Sequence, residues 1–417
     1  MPGHRKRLAG NFISLSLVQG LSILFPLITF PYLIRVLGVE GFGVFTLIQT
    51  FIIYFDMLVS FGFGLTATQR IAKHVNESEE INRIISAVYI IKFILFIFSV
   101  IVFLACCIFI PYLQDNFLIV LVSSLYLLGN LLFPDWYFQG IQKMRSITIV
   151  AIVSKVISLL LIILLVRKST DILYAVLAMC AGNFIAGLLG YSILRRSIKF
   201  KIVFPAREYI ISFFKESGYV FTSIILAPLY ASINLFILQV FTNPLMVGYY
   251  AIAEKIFSAI GMLTSIANRT FYPHLSQLYI TSIEAYKKNI RSILMLFLFS
   301  FTVFALVQFF GAEYIVRIVA GKKQVDISYA VDILRIMSFG LLFSPYVSFF
   351  FQLMILQGQR KQAVRNILAT VIINLFTASL FAYFYSGKGM AINLCVILMI
   401  ISTLNFSGFY KKLKSIQ

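Results

Sequence analysis

Seven ionisable residues stand inside or at the rim of long apolar runs, where a charge needs a physical reason. Asp56 lies near the centre of the run 43–67, and Glu254 and Lys255 share the run 249–269. Lys92 (run 84–110) and Lys155 (run 148–166) sit about eight residues from an end, roughly 12 Å at 1.5 Å per residue. Arg335 is near one end of the run 331–356, and Arg35 follows the run 11–34. A charge at bilayer depth costs roughly 2.5–3.5 kcal/mol, so it usually faces a partner or a water-filled cavity. Glu254 and Lys255 are adjacent, so on a helix they do not face each other directly, and Glu254 is not an automatic neutraliser of Lys255. Four cations against two anions would make a cavity that attracts and focuses anions. A phosphate-bearing headgroup fits such a cavity and a cationic compound does not. Lys255, Lys155, Arg335, Lys92 and Arg35 are therefore the candidate substrate-binding cations, and Asp56 and Glu254 the candidate ion-coupling acids. Snorkelling to the interface competes with this reading, most strongly for Arg335 and Arg35.

Other chemistry finds little support. The three His (His4, His74, His274) lie outside or at the ends of apolar runs. No nucleophile elbow, P-loop or metal-ligand spacing is present, so neither an enzyme nor a cofactor is expected. Cys106, Cys107, Cys180 and Cys395 all lie in apolar runs and read as buried small apolar residues. The net charge of +20 does not indicate a nucleic-acid partner, because the basic residues are scattered through short segments between apolar runs.

The elements that must position these residues are membrane helices. Apolar residues make up 60% of the 417, charged residues 12%, and mean hydropathy is +0.95. A soluble domain carries about a quarter charged residues. Apolar runs of membrane-spanning length recur along the chain, and lipid satisfies their backbones only as helices. Period-two alternation is missing, which argues against a β-barrel. The first apolar stretch is too long for a signal-peptide core and lacks a small-residue cleavage site, so it is expected to be a retained span.

Twelve spans are expected, at about 11–34, 43–67, 84–110, 117–136, 148–166, 172–194, 218–240, 249–269, 292–311, 331–356, 366–385 and 390–410. Of 35 Lys and Arg, 24 fall in segments on the side of the termini, seven on the opposite side and four inside spans. By the positive-inside rule both termini are cytoplasmic. The basic segment 195–217 divides six spans (1–194) from six (218–417). It is expected to be cytoplasmic, either as an interfacial helix on the anionic leaflet or as a solvated linker.

A weak repeat supports that division: Gly10-Asn11-Phe12 and Gly218-Tyr219-Val220 open spans after basic segments, and Gly41-Phe42-Gly43 and Gly248-Tyr249-Tyr250 open the next ones. Both halves start on the same side, so the repeat is parallel. Pro26, Pro31, Pro228 and Pro345 lie within spans and can kink them. Ser14, Ser16, Gln19, Ser22 and Thr29 give span 1 a polar stripe, read either as facing the bundle interior or as ordinary interhelical bonding.

Several junctions carry a resemblance. They are Phe30-Pro31-Tyr32-Leu33-Ile34-Arg35-Val36-Leu37-Gly38 with Gly41-Phe42-Gly43, Leu65-Thr66-Ala67-Thr68-Gln69-Arg70-Ile71-Ala72, and Asp135-Trp136-Tyr137-Phe138-Gln139-Gly140 with Lys143-Met144. Val247-Gly248-Tyr249-Tyr250 and Tyr272-Pro273 follow in the second half. With these the chain resembles, over nearly all its length, the O-antigen flippases of the Wzx type, in the multidrug/oligosaccharidyl-lipid/polysaccharide exporter superfamily. The resemblance implies an all-α membrane protein of two six-helix bundles forming a V around a central cationic cavity. It implies alternating access in the bacterial inner membrane and undecaprenyl-diphosphate-linked oligosaccharide as cargo. Membrane lipids and the O-antigen polymerase machinery are the further partners it implies. The candidate charges rest on depth and charge, not on family positions. Two rivals share the fold: a flippase for another envelope glycan lipid (capsule, teichuronic acid, peptidoglycan precursor) and a multidrug cation antiporter, which would need more cavity anions.

Overall fold

The computed structural model describes residues 2–109, 114, 117–198, 203–321 and 326–414. Within its helices the side chains at 2–17, 19, 21–23, 107–109, 223–224, 226–232 and 269 lie outside the description. So do Lys199 and Lys201 of the basic segment, Lys322 and Lys323, and the side chains of Ser14, Ser16, Gln19, Ser22, Cys107 and Pro228. All regular structure among the described residues is helical. The helices are α1 (Pro2–Ser60), α2 (Phe63–Lys73), α3 (Ser78–Phe109), α4 (Phe117–Leu132), α5 (Asp135–Gly140), α6 (Met144–Leu165), α7 (Ile172–Ser197), α8 (Arg207–Phe241), α9 (Pro244–Thr281), α10 (Ile283–Ala320), α11 (Ser328–Gly340), α12 (Ser344–Leu356) and α13 (Arg360–Lys414). Nine helical stretches among the described residues are long and apolar enough to cross a membrane. The chain is an all-α, multi-pass membrane protein.

Two of these helices are long enough for two crossings. A straight helix of 59 residues would be about 88 Å long, against about 30 Å of hydrocarbon. Gly38 breaks α1 with φ 76°, a left-handed backbone that glycine adopts without strain. Ser386 breaks α13 in the same way, with φ 50°. Pro26 and Pro31 lie inside α1, whose one non-helical residue is Gly38. Pro345 stands in the first turn of α12, where its missing N–H has no helical partner to lose.

The chain divides into two compact units, 1–37 with 45–225 and 38–44 with 226–417. In the first, α7 packs against both α4 and α6. A Cβ on Gly129 of α4 would lie 2.5 Å from the Asn183 oxygen of α7, and one on Gly187 2.4 Å from the Gly129 oxygen. Small residues thus let the two backbones touch, the packing that holds helices together in lipid. The Asp135–Gly140 motif forms the short α5. Trp136, Tyr137 and Phe138 are buried there with Phe63, Ala67, Ile71, Ile84, Val88, Leu194 and Phe213.

The last residues of the basic segment open α8 and pack on protein at one face. Phe213 is fully buried, the Arg70 guanidinium lies 4.1 Å from its ring, Arg70 pairs with Glu216, and Thr66 and Ser217 share a 2.8 Å hydrogen bond. Thr29 donates to the Phe25 carbonyl at 2.8 Å within its own helix.

In the second unit α11 packs against α9, α10 and α13, and α12 against α13. The buried amides of Asn234, Asn374 and Asn393 bond to one another at 2.9 and 2.8 Å, polar glue between apolar helices. The repeated glycine motifs meet in this unit: a Cβ on Gly248 of α9 would lie 2.0 Å from the Val39 carbonyl oxygen.

Candidate functional site

The predicted charges fall into separate groups. In the first unit Lys92 of α3 is 2% exposed, and its ammonium donates to the Asn130 carbonyl of α4 at 2.6 Å. That carbonyl also accepts the Phe133 N–H at 3.2 Å, but position 134 is proline and supplies no N–H to close the next helical turn. The same break turns the chain at Pro134 and starts α5 on Asp135. The Asn130 side-chain amide donates to Asp56 Oδ1 at 2.6 Å and to Ser60 Oγ at 2.9 Å, both on α1. Asp56 and Asp135 both act electrostatically on Lys92. A cavity of ≈ 210 Å³ opens beside the group, lined by Ser60, Lys92, Asp135 and Trp136 together with apolar residues of α1, α2 and α8.

Lys155 of α6 has a different setting. Its ammonium lies 4.9 Å from the centre of the Phe25 ring, a cation–π contact. It lines a second cavity of ≈ 210 Å³ with Gln49, Tyr126, Ser154, Ser158 and Asn183. Ser154 donates to the Gly182 carbonyl at 2.8 Å and Asn183 to the Tyr126 carbonyl at 2.8 Å, which fixes the lining. Among the described residues no carboxylate pairs with Lys155, so this cavity carries a net positive charge.

In the second unit Lys255 and Glu254 form an ion pair at 3.6 Å. Adjacent Cβ directions diverge by about 100° per residue, but both side chains are long enough to curl back to one another. Ser258 Oγ also donates to Glu254 at 2.7 Å. Arg335 lies 3.9 Å from Asp332, and Asp332 pairs with Lys388 at 2.7 Å; these three residues are half-buried. Arg35 is exposed, three residues before the Gly38 break.

The cationic excess expected from sequence is thus largely balanced within each unit. Lys92 has Asp56 and Asp135, Lys255 has Glu254 and Arg335 has Asp332. Asp135, Asn130 and Asp332 were passed over because they stand at or near the ends of apolar runs. The available signal for Asp135 was Pro134 four residues after Asn130, which denies that carbonyl its helical N–H and turns an acid toward it.

Outside the spans, Asp171 accepts from the backbone N–H groups of Arg167 and Lys168, each at 2.9 Å, and these bonds hold its carboxyl below the usual range. This fixes the turn between α6 and α7.

Residues 8–279 match the family described as polysaccharide biosynthesis protein. Two relatives named "Putative O-antigen transporter" align end to end. That of Escherichia coli strain K12 is 28% identical over 97% of both chains. That of Shigella dysenteriae is 27% identical over 92% of this chain and 95% of its own. Among solved structures, an inward-facing multidrug resistance MATE family transporter of the MOP superfamily superposes with TM-score 0.73 at 13% identity, covering 97% of this chain and 98% of that one. The Lipid II flippase MurJ, in an inward closed conformation, superposes with TM-score 0.72 at 16% identity, covering 96% and 90%. The fold is shared with both. These relatives are transporters and a flippase, not enzymes.

Proposed function

Because the chain belongs to the polysaccharide biosynthesis protein family, matched over residues 8–279, we propose that it is a flippase for lipid-linked oligosaccharides. Its cargo is an undecaprenyl-diphosphate-linked O-antigen unit, moved by alternating access from the cytoplasmic to the periplasmic face of the inner membrane. The observation that carries this reading is the end-to-end likeness to the transporter of Escherichia coli, over 97% of both chains. The fold shared with a Lipid II flippase supports it. The excess of Lys and Arg on the side of the termini supports cytoplasmic termini. Twelve crossings in two bundles, divided near residues 195–217, fit the helix breaks at Gly38 and Ser386.

Lys155 gives the reading a chemical basis. A diphosphate leaving water needs compensating charge, and Lys155 lines a polar cavity with no carboxylate partner among the described residues. Lys92, Lys255 and Arg335 serve the cargo less directly, because acids already answer them, and Arg35 stands exposed before the break in α1.

The test is purified protein in liposomes offered three probes: an undecaprenyl-diphosphate oligosaccharide, lipid II and a lipophilic cationic dye. The oligosaccharide lipid should cross fastest. Preference for lipid II would move the assignment to another envelope glycan, and transport of the dye alone would overturn it.

A further inference from the structure

Trp136 is the one tryptophan of the chain and is 1% exposed, yet its indole N–H has no acceptor among the described residues. A buried donor left unpaired costs stability, so the position calls for an acceptor that arrives from outside the chain. Trp136 lines the ≈ 210 Å³ cavity of the first unit together with Ser60, Lys92 and Asp135. These polar groups have capacity to spare. The Lys92 ammonium carries three N–H donors, and one goes to the Asn130 carbonyl at 2.6 Å. Ser60 Oγ accepts from the Asn130 amide at 2.9 Å, which leaves its O–H to donate. The Asp135 carboxylate accepts from Gln139 at 3.4 Å and from the backbone N–H groups of Asp135 and Trp136, out of about four lone-pair sites.

Charge narrows the ligand. Lys92 and Asp135 put one charge of each sign on the same wall. An anion entering the cavity meets the carboxylate, and a cation meets the ammonium. A neutral molecule that both donates and accepts hydrogen bonds meets neither penalty. The rest of the lining is apolar and includes Phe63 of α2 and Phe221 of α8. A sugar ring suits both parts, because its hydroxyls donate and accept while its C–H faces lie against apolar walls. The volume is below the roughly 300–1,000 Å³ of sites for drug-sized ligands, which suits one ring rather than a chain of them.

We infer that this cavity is a monosaccharide-binding site, in which the Trp136 indole N–H and the Lys92 ammonium donate to a neutral sugar ring and the Asp135 carboxylate accepts from one of its hydroxyls. The inference deepens the flippase reading and rests on it for the source of the sugar, a ring of the lipid-linked oligosaccharide. The two tasks then fall to different residues: Lys155 answers the diphosphate, and the cavity beside Trp136 answers an uncharged part of the same cargo.

Because Trp136 is the sole tryptophan, its fluorescence reads this site directly. The experiment titrates the full-length protein, in a detergent without a sugar headgroup, with glucose, galactose and N-acetylglucosamine, and separately with glycerol and with sodium phosphate. At least one of the sugars should change the Trp136 emission saturably at millimolar concentration, and glycerol and phosphate should not. Asp135→Asn and Lys92→Met should each weaken that response by about ten- to hundredfold, the worth of a hydrogen bond to a charged group. Absence of a saturable response to all three sugars overturns the site, in a measurement that needs no variant to fold. A glycerol response equal to that of the sugars, or a saturable response to phosphate, overturns it as well. So does a sugar response unchanged in both variants. Sugar binding by a protein that fails to flip the oligosaccharide lipid would keep the site and remove the flippase reading; flipping without sugar binding would do the reverse.

Discussion

Lys155 and Lys255 are the same residue type inside apolar helices, yet their surroundings give them different tasks. Lys255 is engaged by Glu254 at 3.6 Å, whereas Lys155 lies over an aromatic ring in a cavity lined by apolar side chains as well as by amides and hydroxyls. A hydrogen bond to a charged group contributes about 1.5–3 kcal/mol, which is about ten- to hundredfold in affinity. Lys155→Ala should therefore weaken binding of the glycan lipid in the flipping assay by about that factor, with Lys155→Arg retaining more. Lys255→Ala should have the smaller effect, because the Lys255 ammonium is already engaged by Glu254. Equal losses for the two alanine variants would sink the distinction. The sequence showed both lysines as buried cations. It could not show their partners, because a helical neighbour 38 residues away, such as Asn130 for Lys92, is chosen by packing.

At the scale of elements, the helices themselves were legible because an apolar run in lipid has one way to satisfy its backbone. The two breaks inside α1 and α13 were legible as junctions, since the flanking runs together exceed one bilayer. The segment 207–217 was not. Its basic, partly apolar composition suits an interfacial helix as well as a solvated linker, and the burial of Phe213 beneath Arg70 is set by packing that no composition shows. The glycine repeat carried more than its weak pattern suggested. Its two copies meet in the second unit, where a Cβ on Gly248 would sit 2.0 Å from a backbone oxygen that no rotamer can move. Gly248→Ala should destabilise the protein by about 1–3 kcal/mol through overpacking, read as a lower thermal midpoint in detergent. Gly261→Ala, in the same helix with nothing within 4 Å of its added carbon, is the control and should leave the midpoint unchanged or slightly raised. A Gly248→Ala midpoint equal to the control's would show that the backbones separate freely there.

At the scale of the molecule, the proposed flipping needs a bias that sets its direction. The proposed cargo headgroup, a diphosphate, carries about two negative charges, and outward movement of an anion from an electrically negative cytoplasm is favoured by about 2.3 kcal/mol per charge per 100 mV. Two uncompensated charges gain about 4–5 kcal/mol at 100 mV, a bias of more than a thousandfold. Lys155 does not cancel this, because it stays with the protein while the cargo leaves. Movement of the anionic headgroup would make the proposed transport electrogenic. Liposomes containing purified protein and a lipid-linked oligosaccharide, with the potential clamped by potassium gradients and valinomycin, test it. Reversing the potential should reverse the preferred direction of flipping. Flipping with the same direction and rate at both polarities would mean that no net charge crosses with the cargo, and the electrical account would fail at that point.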